Sequence, residues 1–421
     1  MISLNFDIPS GAEHILRTLT AAGYEAYLVG GCVRDLLRGA APHDWDVCTS
    51  ARPEETAACF TGHRVLETGI RHGTVTVLID GEPYEITTWR TEGPYSDGRR
   101  PDRVRFVGRL EQDLARRDFT VNAIALGPDG TLRDPFGGAD DIRAGLIRCV
   151  GEPARRFQED GLRLMRALRF AAVLGYDIEE HTARAIHDNR AMLDRVAAER
   201  IRAELCGLLT GQDAGKVLRQ YPDVLCRFWP ELEPLTAPPQ NDRWEHALRA
   251  LEAAPSHVTT RLAVLLHDAG PAEPLLRNLK FDNATTKQVV TLVECCGASP
   301  PRNGKELRRW LNRLGPEPFF QLLEVWRAAL PGQTPGRTPE ETAALLTELD
   351  QIRTKAEQIV AEGQCFTLKD LAVNGKDVIA AGAVPGPDVG RVLNRLLERV
   401  LDGELPNRRE VLLEQIEHEL S

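Results

Sequence analysis

The sequence predicts an α+β protein, a mixed α/β head followed by a long helical remainder. Three observations predict it. Short β-branched runs and glycine turns crowd the first 150 residues. From Glu159 onward apolar residues recur at helical spacing almost everywhere. Proline clusters at Pro234 to Pro239 and Pro331 to Pro339 then mark linkers within the helical part. The chain has 421 residues, and at about 150 residues per domain two to four domains are expected.

The head is read in order. Residues 11 to 22 predict a short helix ending at Gly23. Tyr24 to Val29 predicts a strand running into Gly30-Gly31, and Val33 to Arg38 a helix stopped by Gly39. Trp45 to Cys48 predicts a second strand. Thr74 to Ile79 and Tyr84 to Trp89, joined by Asp80-Gly81, predict a hairpin. In the remainder, Leu164, Leu168 and Ala171 recur at i, i+4, i+7. Val392, Leu393, Leu396, Leu397, Val400 and Leu401 form a stripe closed by Gly403 and Pro406.

Composition excludes several classes. Hydrophobic residues make up 42% and charged residues 27%, a soluble globular balance. Apolar runs such as Leu262 to Leu266 fall far short of the roughly 18 to 20 residues that span a bilayer. Met1 to Ser10 lacks the pattern of a secretory signal. The nine cysteines form no C-x-x-C pair, so neither a zinc site nor a disulfide framework is expected, and a reducing cytoplasm fits. Cys32 and Cys48 are read as small packing residues. The net charge of −10 argues against a uniformly basic RNA-coating surface. Yet seven arginines stand against four acids between Arg99 and Asp118, and five against two between Arg155 and Arg169.

The chemistry concentrates in Leu28-Val-Gly-Gly-Cys-Val-Arg-Asp35 and Asp44-Trp-Asp46. On a strand, i and i+2 share a face, so Asp44 and Asp46 would present two carboxylates side by side. Such a pair repels unless neutralised, and oxygen ligands beside substrate phosphates suit Mg²⁺. Two such ions can activate a hydroxyl and stabilise departing pyrophosphate. A lone D-x-D is more often a surface loop, and a lone Gly-Gly more often a tight turn. Together, strand, Gly30-Gly31, helix and D-x-D resemble the nucleotidyltransferase superfamily that includes DNA polymerase β. Arg34, one helical turn past Gly31, is placed to meet a triphosphate, with Asp35 as its structural partner. Glu85 is the candidate third carboxylate, against the reading of a solvent-facing strand residue.

Arg116-Arg-Asp-Phe-Thr-Val-Asn-Ala123 supplies Arg117, whose planar fork suits triphosphate. Asp118 and Asn122 either orient that arginine or meet the ribose. In Glu159-Asp-Gly-Leu-Arg-Leu-Met-Arg-Ala-Leu-Arg169, Asp160 and Arg163 would be i, i+3 neighbours on a helix, with Arg166 and Arg169 continuing the row. Such a pair is commonly a surface ion pair. An acceptor beside a donor also matches the pairing edges of C and A, and mismatches U and G.

Taken together, LVGGCVRD, DWD, YEITTWR, RRDFTVNA, DPFGG (Asp134 to Gly138) and EDGLRLMRALRF resemble the class II tRNA nucleotidyltransferase and bacterial poly(A) polymerase family. These motifs cover about residues 24 to 175, with a weaker likeness through Leu371 to Asp377 and Gly386 to Gly390. The resemblance implies a polymerase-β-like head (1–150) and an all-α neck (151–235), body (236–335) and tail (336–421). It implies Asp44 and Asp46 as metal ligands. It implies Gly31, Arg34 and Arg117, with Gly30, at the triphosphate, and Asp160 with Arg163 at the base. Arg166 and Arg169 match further basic positions of the nucleotide helix. The stretch Thr91 to Phe106 matches a loop that helps the change from C to A addition. The implied partners are tRNA, CTP and ATP, and the implied activity is addition of C, C and A to the tRNA 3′ end. Poly(A) addition, or addition of CC or A alone, are sister activities. Trp244-Glu-His246 and Leu266-His-Asp268 resemble pieces of an HD phosphohydrolase domain that some relatives carry. No histidine follows before His418, so the segment is read as a decayed remnant and His267 as a core or helix-end residue. That absence counts against a phosphohydrolase, and the complete nucleotide motifs count against a non-catalytic RNA-binding protein.

Overall fold

The computed structural model describes residues 6–66, 69–92, 104–237, 241–330 and 338–420. They divide into two compact units. The first holds residues up to Thr236 together with Leu275–Phe281, and the second holds Ala237–Pro274 and Asp282 onward. The division falls inside the first proline cluster. Most of the second cluster, 331–337, lies outside the described residues.

In the first unit, helix α1 (Ser10–Ala21) buries Ile15, Leu16 and Leu19 and leads into strand β1 (Ala26–Val29). Gly30 then turns the chain at φ +82°, and α2 (Gly31–Leu37) follows. Strand β2 (Asp46–Thr49), helix α3 (Pro53–Cys59), and strands β3 (Arg64–Leu66), β4 (Thr74–Ile79) and β5 (Glu82–Thr88) come next. Asp80 and Gly81 both have positive φ, 52° and 89°, as a two-residue hairpin turn following the strand twist requires. Short strands β6 (Arg90–Glu92) and β7 (Val104–Phe106) pair with each other. Most of the sequence-predicted loop between them, 93–103, lies outside the described residues.

Helix α4 (Leu110–Leu114) precedes β8 (Ala125–Leu126), β9 (Leu132–Arg133) and α5 (Gly138–Ala144). The seven-stranded sheet runs β3-β4-β5-β2-β1-β8-β9. Beneath it Val29, Cys48, Trp89, Leu110, Leu114, Ala123, Ala125 and Val150 form one apolar cluster. Cys32 and Cys48 are both buried, as packing residues should be. The DPFGG motif serves this packing. Asp134 accepts the Gly138 and Ala139 amides, each at 2.8 Å, and any Cβ on Gly138 would run into the Thr120 carbonyl at 2.1 Å.

Beyond β10 (Leu146–Ile147) come α6 (Pro153–Glu159), α7 (Leu162–Leu174), β11 (Asp177–Ile178), α8 (Glu180–Asn189) and α9 (Ala198–Thr210). The predicted stripe of Leu164, Leu168 and Ala171 lies buried on α7, which packs against α9. Helices α10 (Ala214–Gln220), α11 (Pro222–Cys226) and α12 (Glu233–Thr236) complete the main run of this unit.

The second unit is helical throughout its described residues. It contains α13 (Asn241–Ala253) and α14 (Val258–Leu266). After α15 (Ala272–Asn278), where the chain passes between units, come α16 (Asn283–Cys296), α17 (Gly304–Leu314), α18 (Pro316–Ala329), α19 (Pro339–Ala361), α20 (Gly375–Ala380), α21 (Pro387–Leu401) and α22 (Arg409–Leu420). Pro339 opens α19 behind a Thr338–Glu341 capping box. The predicted C-terminal stripe on α21 packs against Leu412 and Ile416 of α22, with Leu393 partly buried at its margin. No described helix is long and apolar enough to cross a membrane.

Candidate active site

Strand register brings the first group of residues together. Strands β1 and β2 are antiparallel, with Leu28 opposite Val47, so the Gly30 turn and Asp46 lie at one end of the sheet. Strand β5 runs parallel to β2 and places Glu85 directly opposite Asp46. The sequence reading put both aspartates on a strand. The structure corrects this: β2 begins at Asp46, and Asp44 reaches the site from the preceding loop. Asp44, Asp46 and Glu85 are all exposed residues. Partial burial raises the Asp46 carboxyl above its ordinary range, and Glu85 and Asp44 add to the rise while Arg117 opposes it. Carboxylates crowded in this way fit a hard divalent cation, which relieves their repulsion.

Gly30 is required where it stands. An ideal Cβ there would lie 3.3 Å from Arg117 Nη1 and 3.7 Å from Asp46 Oδ2. Its φ of +82° and ψ of −134° are open to little but glycine. Gly30→Ala is therefore expected to cost about 1–3 kcal/mol in strain and to push Arg117 out of place. Denaturant melts and single-nucleotide addition rates check this. An alanine variant of wild-type stability and rate would show that the close approach is unimportant.

Arg117 is held by a residue the sequence reading missed. Asp113, fully buried on α4, pairs with Arg116 at 2.9 Å and with Arg117 at 3.4 Å, and accepts the Arg90 amide at 3.2 Å. Burial pushes the Asp113 carboxyl up, but Arg116 and Arg117 outweigh it and the net shift is downward. Arg117 Nε is buried and has no hydrogen-bond partner among the described residues.

Asp118 and Asn122 do not orient Arg117. Asp118 turns instead to Arg166 on α7, whose Nε donates to Oδ2 at 2.8 Å. Asp118 Oδ1 accepts the Phe119 amide and, at 3.3 Å, Asn122 Nδ2. Asn122 Oδ1 in turn accepts Arg34 Nη1 at 2.8 Å, while Asp35 accepts Arg34 Nε and Nη2, both at 3.0 Å. The Arg34–Asp35 pairing is as expected. Arg169 pairs with Glu204 of α9. Arg34, Arg166 and Arg169 converge on the Phe170 ring, at 5.3, 5.2 and 4.4 Å from its centroid. One network thus joins the Gly30-Gly31 helix to the arginine row of α7. Phe170, Glu204 and Asp113 are members the sequence did not single out.

Asp160 and Arg163 are not paired by their side chains. Helix α6 ends at Glu159 and α7 begins at Leu162, so Asp160 caps between helices and its carboxylate accepts the Leu162 amide. Its ion-pair partner is Arg200 of α9, at 3.0 Å. Arg163, buried, donates to Glu159 and to the carbonyls of Arg156 and Arg116. The i, i+3 rule fails because one partner lies outside the helix.

An acidic trio beside a glycine turn, backed by anchored arginines, offers oxygen ligands suited to a divalent ion and donors suited to phosphate oxygens. Comparison with known proteins gives the family. Residues 26–148 match the poly(A) polymerase head domain, 175–222 the RNA and SrmB-binding site of polymerase A, and 256–416 the tRNA nucleotidyltransferase domain 2. The chain is a nucleotidyltransferase with a polymerase-β-like head. It is 37% identical over 407 residues to the CCA-adding enzyme of Lactobacillus delbrueckii, covering 96% of both chains. It is 38% identical over 415 residues to that of Lactiplantibacillus plantarum, covering 96% of this chain and 94% of the relative. The crystal structure of the Bacillus stearothermophilus CCA-adding enzyme in complex with CTP matches with a TM-score of 0.75 at 33% identity, over 97% of this chain and 96% of that one. The chain belongs to the CCA-adding enzyme family.

Proposed function

We propose that the protein adds C, C and A to the 3′ end of tRNA from CTP and ATP, releasing pyrophosphate. The observation that carries this reading is the placement of Asp44, Asp46 and Glu85 beside Gly30 and Arg117 in a chain similar to CCA-adding enzymes over almost its whole length. Asp44 and Asp46 would hold Mg²⁺, with Glu85 beside them. When bound, the ion supplies charge that lowers the pKa of the attacking 3′-hydroxyl and stabilises the departing pyrophosphate. Gly30 and Gly31 leave room for the triphosphate to approach the backbone, and Arg34 and Arg117 meet its oxygens.

Base choice is assigned to Asp160 and Arg163. Asp160 accepts and Arg163 donates, complementary to C and A and mismatched to U and G. Each would exchange a present protein partner, Arg200 or Glu159, for the base edge. Asp160→Ala is expected to relax discrimination against UTP and GTP more than it weakens triphosphate binding. Misincorporation assays with single nucleotides test this, and unchanged discrimination would reject the assignment. Arg166 and Arg169 brace the same helix. The neck (151–235), body (236–335) and tail (336–421) would hold tRNA by shape and phosphate contacts. Nine free thiols accord with work in a reducing cytoplasm.

The deciding experiment supplies tRNA lacking CCA with each nucleotide singly, and then with CTP and ATP together. Two C's followed by one A are expected. A long A tail, or arrest after CC, would move the protein to a sister activity.

A further inference from the structure

Three guanidiniums beside the nucleotide site share one aromatic ring. Phe170 stands on α7 and is 7% exposed. Arg34 of α2 lies 5.3 Å from its ring centroid, Arg166 5.2 Å and Arg169 4.4 Å. Each arginine has its own carboxylate: Asp35 for Arg34, Asp118 for Arg166 and Glu204 for Arg169. The ring is set by what packs around it. Phe119, fully buried, meets it edge to face, with centroids 5.8 Å apart and planes at 83°. On α9, Gly207 leaves room for the Arg169 stem, since a Cβ there would stand 2.6 Å from Arg169 Cδ.

Arg34 is held at two edges and one face. Asp35 accepts from its Nε and Nη2, and Asn122 accepts from its Nη1. A guanidinium has five N–H bonds. Those contacts use three, so among the described residues two remain for another acceptor. Phe170 takes neither. An aromatic ring attracts a cation through its electron-rich face and offers it no lone pair. A further carboxylate in that place would consume the N–H groups and repel an incoming triphosphate. An aliphatic side chain would leave the N–H groups free but would not hold the cation. The ring does both.

We propose that Phe170 is a positioning residue for the incoming nucleotide and acts through Arg34. Its ring fixes the plane of the Arg34 guanidinium, so that the two uncommitted N–H groups are presented to the triphosphate. This role rests on the reading of Arg34 as a triphosphate ligand. A long side chain held in advance loses less rotamer freedom when it binds, and that saving appears as affinity. CTP and ATP carry the same triphosphate, so Phe170 serves both alike and takes no part in base choice. Arg34 comes from the helix of the glycine turn, whereas Phe170 comes from the helix of Arg166 and Arg169. The ring thereby ties the two helices together at the nucleotide.

The test uses the full chain and reads equilibrium binding of CTP and of ATP by calorimetry, with steady-state addition alongside. Phe170→Leu, which keeps an apolar side chain and loses the ring, is expected to weaken both nucleotides alike by about three- to tenfold, the range of one cation–π contact. KM should rise by a similar factor and kcat should change less. Phe170→Tyr is expected to restore the affinity. Leucine also loses the contact with Phe119, so thermal melts accompany each variant and a second series keeps the ring. Phenylalanine carrying one, two or three ring fluorines is installed at position 170. Fluorine drains negative charge from the ring face with little change of shape, so affinity should fall step by step while the melts show an intact fold. Arg34→Met is expected to weaken both nucleotides, and adding Phe170→Leu to it to cost little more. Losses that simply multiply, or fluorinated chains that bind as tightly as wild type, would overturn the role of Phe170 and leave Arg34 at the triphosphate. Arg34→Met protein that binds both nucleotides like wild type would remove Arg34 from the triphosphate, and the role of Phe170 with it.

Discussion

Asp46→Asn is expected to lower addition of both C and A by about 10³-fold, the scale on which loss of one preorganised group in a reacting site is felt, while tRNA binding stays nearly unchanged. The substitution keeps volume and removes charge. Asp46 is the first residue of β2, between β1 and β5, and has Glu85 opposite it and Asp44 two residues before it. It is the carboxylate on which the charges of both neighbours and of Arg117 act together. The fold does not depend on that charge, since Arg117 remains anchored by Asp113 and the β2 ladder is built from backbone groups. Asp44→Ala should act in the same direction. Rapid-quench extension separates the chemical step, and filter binding measures tRNA affinity. Survival of either C or A addition at near wild-type rate would show that the metal assignment is wrong.

The elements around this site were legible where local rules decide them. Asp80-Gly81 named its hairpin, and Gly30-Gly31 named the strand-to-helix turn. The stripes on α7 and α21 named the faces that are buried. The partners of the charged groups were much less legible. Asp113 reads as one more acid in an arginine-rich stretch, and only burial on α4 reveals it as the counter-ion of Arg116 and Arg117. Glu204 and Arg200 lie 35 to 40 residues from the side chains they hold, brought there by the packing of α9 on α7. Asp160 and Arg163 had the right spacing for a helical pair, but the chain breaks at Gly161. A Cβ there would meet the Met192 carbonyl at 2.6 Å. That close approach is tertiary, and spacing carries no trace of it.

The same network predicts a second large effect. Asp118→Asn is expected to destabilise the protein by about 2–4 kcal/mol at neutral pH, toward the range for breaking one side of a buried ion pair. Burial alone pushes the Asp118 carboxyl up. Arg166, through charge and hydrogen bond, then Arg163 and the Phe119 amide, outweigh burial and bring it down to about 2 from an ordinary 3.8. A carboxyl depressed on folding stabilises the native state above its unfolded pKa, and that contribution is lost as pH falls through the folded value. A fall of this size is worth roughly 2 kcal/mol. The stability gap between wild type and variant should therefore be flat above about pH 5 and about half closed near pH 3. Urea denaturation across that range measures it. A gap that stays constant down to pH 3 would mean that the variant acts by packing rather than charge. In the variant Arg166 keeps Glu204, at 3.6 Å, and the Phe170 ring, and Asn122 loses a charged acceptor while still holding Arg34. KM for the nucleotide should rise more than kcat falls, because the Asn122 that holds Arg34, proposed above to meet the triphosphate, loses its charged anchor while the carboxylates on β2 and β5 stay where the sheet puts them.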